Sequence, residues 1–305
     1  MEARLREWLL DADPSIRRQV LRDLVVAPDD AVAAERARIA EAGWGAHLLE
    51  LQRPDGQWGV GVYDGDDWDS TTDALWILRE LGVDPADERV ERAIALVAEQ
   101  VRWESRNGGR PFFDGETEAC VNGRVLALGA SFGRPSAPLV ERLLGEQLAD
   151  GGWNCEAPPS IRSSFHSTIC VLEGLLEYER ATGADPAIAA ARARGEEYLL
   201  ERGLLRSRST GEVIDDEWLV IHVPTYWCYD VLRGLDHLRG AGGRPDARLA
   251  EPLEVLRRMR SADGTWSASV HPGRPVVELE PSVDPSRWAT LRALRVLAWA
   301  DAAAS

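Results

Sequence analysis

Gln147-Leu148-Ala149-Asp150-Gly151-Gly152-Trp153 sits between an amphipathic run at 137–149 and an apolar, helix-periodic run at 164–181. Gln52-Arg53-Pro54-Asp55-Gly56-Gln57-Trp58 sits in the same way between runs at 35–52 and 69–82. Arg260 to Trp266 repeats the spacing with Arg in the Gln position. The shared pattern is Gln-x3-Gly-x-Trp. Its glycine permits a tight turn at the end of the first helix. Its Trp can pack on the next helix while the indole N–H finds a carbonyl. Such a period is read before any single element, because it governs the whole fold.

Working outward, amphipathic runs fall near 35–52, 88–103, 137–149, 186–202 and 246–260. Apolar runs follow them near 69–82, 118–132, 164–181, 226–240 and 286–300. Residues 3–11 and 14–26 read as a helical hairpin, with Asp13-Pro14-Ser15 starting the second helix and Ile16, Val20, Leu21 and Leu24 as its stripe. Six helix pairs can close into a single all-α domain over 1–305, an (α/α)6 toroid in which 1–30 closes the ring. The inner helices are apolar nearly all round because both faces are covered. An open solenoid has shorter repeats and needs capping ends.

The Gln-x3-Gly-x-Trp loops resemble the QW repeat of the squalene and oxidosqualene cyclases and of the protein prenyltransferase β-subunits. The resemblance runs over roughly 35–300. It implies the toroid fold; the loops themselves say little about chemistry.

Composition narrows the partners. The formal net charge of −16 argues against nucleic acid and anionic membrane surfaces. The basic residues are all Arg. Four cysteines, Cys120, Cys155, Cys170 and Cys228, are too few for a disulfide scaffold in 305 residues. Met1-Glu2-Ala3-Arg4 lacks an apolar signal core, and no apolar run is long enough to span a membrane. A reducing, cytoplasmic setting is expected.

In a closed ring the inner helices aim their positive N-termini at one end of the centre. The first such N-terminus is Asp66-Asp67-Trp68-Asp69-Ser70-Thr71-Thr72. It is similar to the Asp-x-Asp-Asp-Thr segment of class II terpene cyclases, whose middle Asp protonates an alkene or epoxide. Asp67 and Asp69 match in that register, Ser70 replaces the last Asp, and Trp76 falls where those cyclases often carry Trp. The resemblance implies Asp69 as acid with Asp67 beside it. The other reading is a helix cap supplied by Asp69, Ser70 or Thr71.

Glu118-Ala119-Cys120 opens the second inner helix, and Phe165-His166-Ser167-Thr168 opens the third. The pair resembles the zinc site of prenyltransferase β-subunits, with Glu118 in place of Asp. Ligands at i and i+2 diverge on a regular helix, so Glu118 must lie in the non-helical cap to converge with Cys120. Carboxylate, thiolate and imidazole suit Zn²⁺, and three ligands leave a fourth position, which Cys155 could fill. Taken singly, Cys120 reads as a small buried hydrophobe and His166 as a core or capping histidine.

Tyr226-Trp227-Cys228-Tyr229-Asp230, preceded by His222, supplies secondary candidates in Cys228 and His222. Cys170, one turn below His166, reads as core. Arg124, Arg162 and Arg287 stand near the expected rim and could hold an anionic head group. Trp68, Phe165, Tyr226, Trp227 and Trp288 are the aromatics nearest it, suited to an apolar tail.

Three functions compete. The preferred one is a zinc enzyme, with Glu118, Cys120, His166 and Cys155 as donors, acting on an apolar, isoprenoid-like small molecule. The second is an acid-initiated terpene cyclase using Asp69. The third is a non-catalytic binding toroid.

Overall fold

The computed structural model describes residues 2–63, 69–105, 109–270, 275–280 and 283–302. Among these the chain is helical, with isolated bridges and no extended strand. It divides into two compact units. Unit 1 comprises Met1–Val101, His222–Pro224 and Met259–Ala302, and unit 2 comprises Arg102–Ile221 and Thr225–Arg258.

Unit 1 begins with α1 (Ala3–Leu10) and α2 (Pro14–Val20), which runs on as a π-turn over Leu21–Val25. Asp13 caps α2, accepting from Ser15 N at 2.8 Å, with Pro14 in the first helical position. The run expected as one helix over 35–52 is two, α3 (Asp29–Arg38) and α4 (Gly43–Glu50). Gly43 has φ +73°, and a Cβ on Gly45 would overlap the Ile39 carbonyl, so the chain turns where only glycine fits. Trp44 N, freed by that break, donates to Asp13 at 2.7 Å. Next come α5 (Thr71–Leu81), buried nearly all round, and α6 (Glu88–Gln100). On α6, Val90, Ala93, Ile94 and Val97 form one buried stripe. The last helix, α13 (Arg287–Ala302), packs on α2.

Unit 2 holds three successive pairs: α7 (Ala119–Ser131) with α8 (Ala137–Gly145), α9 (Phe165–Thr182) with α10 (Pro186–Leu200), and α11 (Val231–Gly240) with α12 (Ala250–Arg258). The apolar run at 226–240 starts its helix only at Val231, because Asp230 is the N-cap and accepts from Arg233 N at 2.7 Å. Tyr226, Trp227 and Cys228 therefore lie in the preceding loop.

The Gly-x-Trp loops share one hydrogen-bond scheme. Gln52 Nε2 donates to Gly56 O and to Arg89 O on α6, each at 3.0 Å. Gln147 Nε2 donates to Gly151 O at 2.6 Å and to Ala191 O on α10 at 2.8 Å. Each Gln thus closes its own turn and holds a later helix. Trp58 Nε1 donates to Leu48 O at 2.6 Å and Trp153 Nε1 to Leu143 O at 2.7 Å. The backbone N–H of Trp58, Trp153 and Trp266 donates to the hydroxyl of Thr71, Thr168 and Thr290 at 3.1, 3.0 and 3.0 Å. The three indoles are fully buried. Burying each ring contributes roughly 2–3 kcal/mol or more, and the threonines tie each loop to the helix that follows.

Candidate functional site

In unit 1 the site is the start of α5. Ser70 is its cap: the Oγ accepts from Asp73 N at 3.4 Å and donates to Asp73 Oδ2 at 2.6 Å. Asp69 stands one residue outside this cap, half-buried, with its carboxylate against Gly59 so closely that a Cβ there would overlap it. The cap expected from Asp69, Ser70 or Thr71 is thus Ser70. Asp67 and Trp68 lie outside the described residues. Asp73, which the sequence reading passed over, is buried together with Ser70, Thr71 and Thr72. Its signal was an acid in the first turn of an apolar helix. Arg287 and Trp288 belong to this unit. Arg287 lies over the Trp8 ring at 5.1 Å, and Trp288 is buried and stacked on Trp44 at 6.1 Å.

In unit 2 the site is the start of α7. Glu118 is its N-cap residue with extended backbone (φ −96°, ψ 123°), the non-helical placement that convergence with Cys120 requires. Cys120 Sγ lies 3.8 Å from Glu118 Oε2 and 2.8 Å from Cys155 Sγ. Cys155 comes from the loop that follows Trp153. Its sulfur accepts from Cys120 N and from Ser167 Oγ, each at 3.2 Å, while its own N–H donates to that hydroxyl at 3.2 Å. The ligand atoms of Glu118, Cys120 and Cys155 all lie within 4.8 Å of one another.

Electrostatics follows from these contacts. Hydrogen bonding from Cys120 outweighs burial and holds the Cys155 thiol below its usual range. The Cys120 thiol is pushed up by that same bond and by burial. Partial burial and then Glu116 raise Glu118. Glu116 is itself buried, accepting from Thr117 N and Glu118 N at 2.7 Å each, so it fixes the approach to α7.

His166 does not join this group. Its Nδ1 accepts from Tyr229 N at 2.9 Å, and its ring lies 5.2 Å from Trp227 and 6.0 Å from Trp218. Burial, then Arg233, lowers its pKa, and because Nδ1 accepts, the neutral ring carries its proton on Nε2. Phe165 is buried in a ring cluster with Tyr198, Trp218 and Tyr229 at 5.4, 4.5 and 5.0 Å. Tyr226 is buried, whereas Trp227 is 40% exposed. Cys228 is half-buried and its carbonyl accepts from Arg233. Arg124 is half-buried on α7, and Arg162 is exposed with its carbonyl accepting from Asn154 Nδ2 at 2.7 Å. His222 lies in unit 1, its backbone bridged to Ser269.

The sequence reading also missed Arg233. It is fully buried on α11 and forms a bidentate pair with Glu173 on α9, Nε–Oε1 2.9 Å and Nη2–Oε2 2.6 Å. Its Nη2 reaches Cys170 Sγ at 3.6 Å. Burial opposes the arginine's charge, but Glu173, Cys170 and Asp230 together more than offset it. Two opposite charges in two apolar runs were the signal.

Two thiols and a carboxylate are donor types that suit zinc. The sulfur separation of 2.8 Å is shorter than the edge of about 3.8 Å set by Zn–S bonds of about 2.3 Å in a tetrahedron. An ion there would have to spread the pair by about 1 Å, with Glu118 as third ligand.

No family model matches the chain, and no curated protein matches it in sequence. Solved structures do. The type II terpene cyclase MstE from Scytonema, without ligand, superposes with TM-score 0.50 at 19% identity, over 95% of this chain and 89% of that one. A protein from Actinoplanes is similar at TM-score 0.46 and 19% identity, over 99% and 98%. MstE R337A in complex with geranylgeranyl dihydroxybenzoate, its substrate, is similar at TM-score 0.48 and 18% identity, over 95% and 87%. The chain therefore has the all-α fold of a type II terpene cyclase. Among the described residues no helix is long and apolar enough to cross a membrane.

Proposed function

We propose, taking that shared fold as premise, that this chain is an acid-initiated cyclase of apolar, linear isoprenoids with Asp69 as proton donor. One observation carries the reading: Ser70 caps α5, so the carboxyl of Asp69 is not spent on the cap. In the proposed reaction the Asp69 carboxyl gives its proton to a terminal alkene carbon. The π pair forms the new C–H bond and leaves a tertiary cation, which the next π bond attacks. Loss of a proton ends the cascade. A positioned acid contributes typically about 10²–10⁴-fold. Asp67 stands two residues earlier, where the family pattern has its companion carboxylate. The Gly-x-Trp loops are of the QW type in this reading. The substrate in this reading is an apolar chain. The test is incubation with linear polyprenols and prenylated phenols. The product should have the mass of the substrate and fewer alkene protons by NMR; unchanged substrate throughout counts against the reading.

A second reading rests on the gathered donors. Glu118, Cys120 and Cys155 would hold Zn²⁺, which supplies Lewis acidity at an open position when bound. His166 enters this set only if its ring leaves Tyr229. Elemental analysis tests it: about one zinc per chain, lost in Cys120→Ala, is the expected result, and a protein that takes up no zinc rejects it.

A further inference from the structure

Cys120 and Cys155 are 35 residues apart, yet their sulfurs lie 2.8 Å from each other. Both residues are partly exposed, whereas Cys170 is buried. A disulfide needs about 2.05 Å between sulfurs, so closing the gap requires side-chain rotation of less than 1 Å. Two donors converge on Cys155 Sγ: the Cys120 N–H, in the first turn of α7, and the Ser167 hydroxyl, each at 3.2 Å. Donors at a helix start stabilise a thiolate. Cys120 Sγ faces Glu118, 3.8 Å away, and has no such pair of donors among its described contacts.

We propose that Cys155 and Cys120 form a reversible dithiol–disulfide pair, with Cys155 attacking a peroxide and Cys120 resolving the product. The Cys155 thiolate attacks one peroxide oxygen. The O–O bond breaks, an S–O bond forms, and the departing hydroxide takes a proton to become water. The Cys120 thiolate then attacks the Cys155 sulfur. The S–S bond forms, the S–O bond breaks, and the second hydroxide leaves as water with the proton from Cys120. In sum two thiols and one hydrogen peroxide give a disulfide and two waters, with two electrons passing from sulfur to oxygen. A small dithiol reverses the step by exchange and is itself oxidised to a disulfide. The product ties the start of α7 to the loop after Trp153. The proposal does not rest on the cyclase reading. It does compete with the zinc reading, because a bound ion would hold both sulfurs.

The test uses the full chain, purified without thiols, with its zinc content measured first. Hydrogen peroxide is added at low molar excess, free thiols are alkylated, and tryptic peptides are mapped by mass. The expected result is a cross-link between peptides 107–124 and 143–162, formed at least tenfold faster than any oxidation of Cys170 or Cys228 and reversed by dithiothreitol. In Cys120→Ser the product should stop at a Cys155 sulfenic acid, trapped by a 1,3-dione probe. In Cys155→Ser the trapping at Cys120 should fall at least tenfold below that. Equal oxidation of all four cysteines, trapping at Cys120 rather than Cys155, or inert thiols on a zinc-bound protein would each overturn the proposal.

Discussion

Gly174 and Gly123 meet backbone to backbone: a Cβ on Gly174 would overlap the Gly123 carbonyl oxygen. A Cβ on Gly123 would in turn strike the Cys170 carbonyl. This contact sets how closely α7 and α9 approach, and so how the Cys120 N–H and the Ser167 hydroxyl converge on Cys155 Sγ. Gly174→Ala should destabilise the fold by about 1–3 kcal/mol through overpacking, read from the urea midpoint. It should also slow peroxide-driven cross-linking of Cys120 to Cys155. Full stability in that variant would mean that the helices are free to shift.

Arg233 is fully buried, and its partner Glu173 is half-buried. Glu173→Gln removes the guanidinium's ion-pair partner and, because Glu173 is partly screened by solvent, should cost about 1–3 kcal/mol. The double variant Arg233→Met/Glu173→Leu removes both charges and should recover most of that loss. A double variant no better than the single one would show that the pair positions α11 in a way apolar packing cannot replace.

Trp153→Phe removes the donor to Leu143 O and should cost about 1–3 kcal/mol beyond the lost ring area. Trp58→Phe should cost about the same, since Leu48 O is left in the same state. Unfolding followed by circular dichroism checks both. A change in one variant alone would argue that the loops are not equivalent in energy.

Glu196 supplies a pH dependence. Burial raises its pKa, but His237 and Arg192 outweigh burial and hold it below the usual 4.5. Its contacts are His237 Nε2 at 3.2 Å and Arg192 Nη1 at 3.0 Å. A carboxylate whose pKa is lower when folded adds stability above its unfolded pKa and loses it as pH falls through the folded one. Stability should therefore decline below pH 4.5, and Glu196→Gln should make that decline shallower. The variant should also lose about 1–3 kcal/mol at neutral pH. An identical acid limb in the two proteins would rule this contribution out.

Much of the fold was legible because periodicity and Gly-x-Trp spacing are local. The runs at 69–82, 118–132, 164–181 and 286–300 became α5, α7, α9 and α13. The misread run at 35–52 broke at Gly43, whose need for a positive φ is invisible to a hydrophobic pattern. The run at 226–240 began late because the Asp230 cap decided its start. The site was legible in part. Glu118, Cys120 and Cys155 converge, since a cap and a Trp loop place them. The course of α9 turns His166 toward Tyr229 N instead, and a backbone partner 63 residues away leaves no trace in residue types. Rings expected near a rim, Phe165 and Trp288 among them, were taken up by aromatic packing.

The proposed proton transfer from Asp69 is tested most directly by deuterium incorporation. The protein and a linear polyprenyl compound are incubated in D₂O, and any product is examined by mass and ²H NMR. The account predicts one deuterium at the former terminal alkene position, and no product from an Asp69→Asn variant of unchanged melting temperature. Cyclised product without deuterium at that carbon, or undiminished turnover by Asp69→Asn, would contradict it.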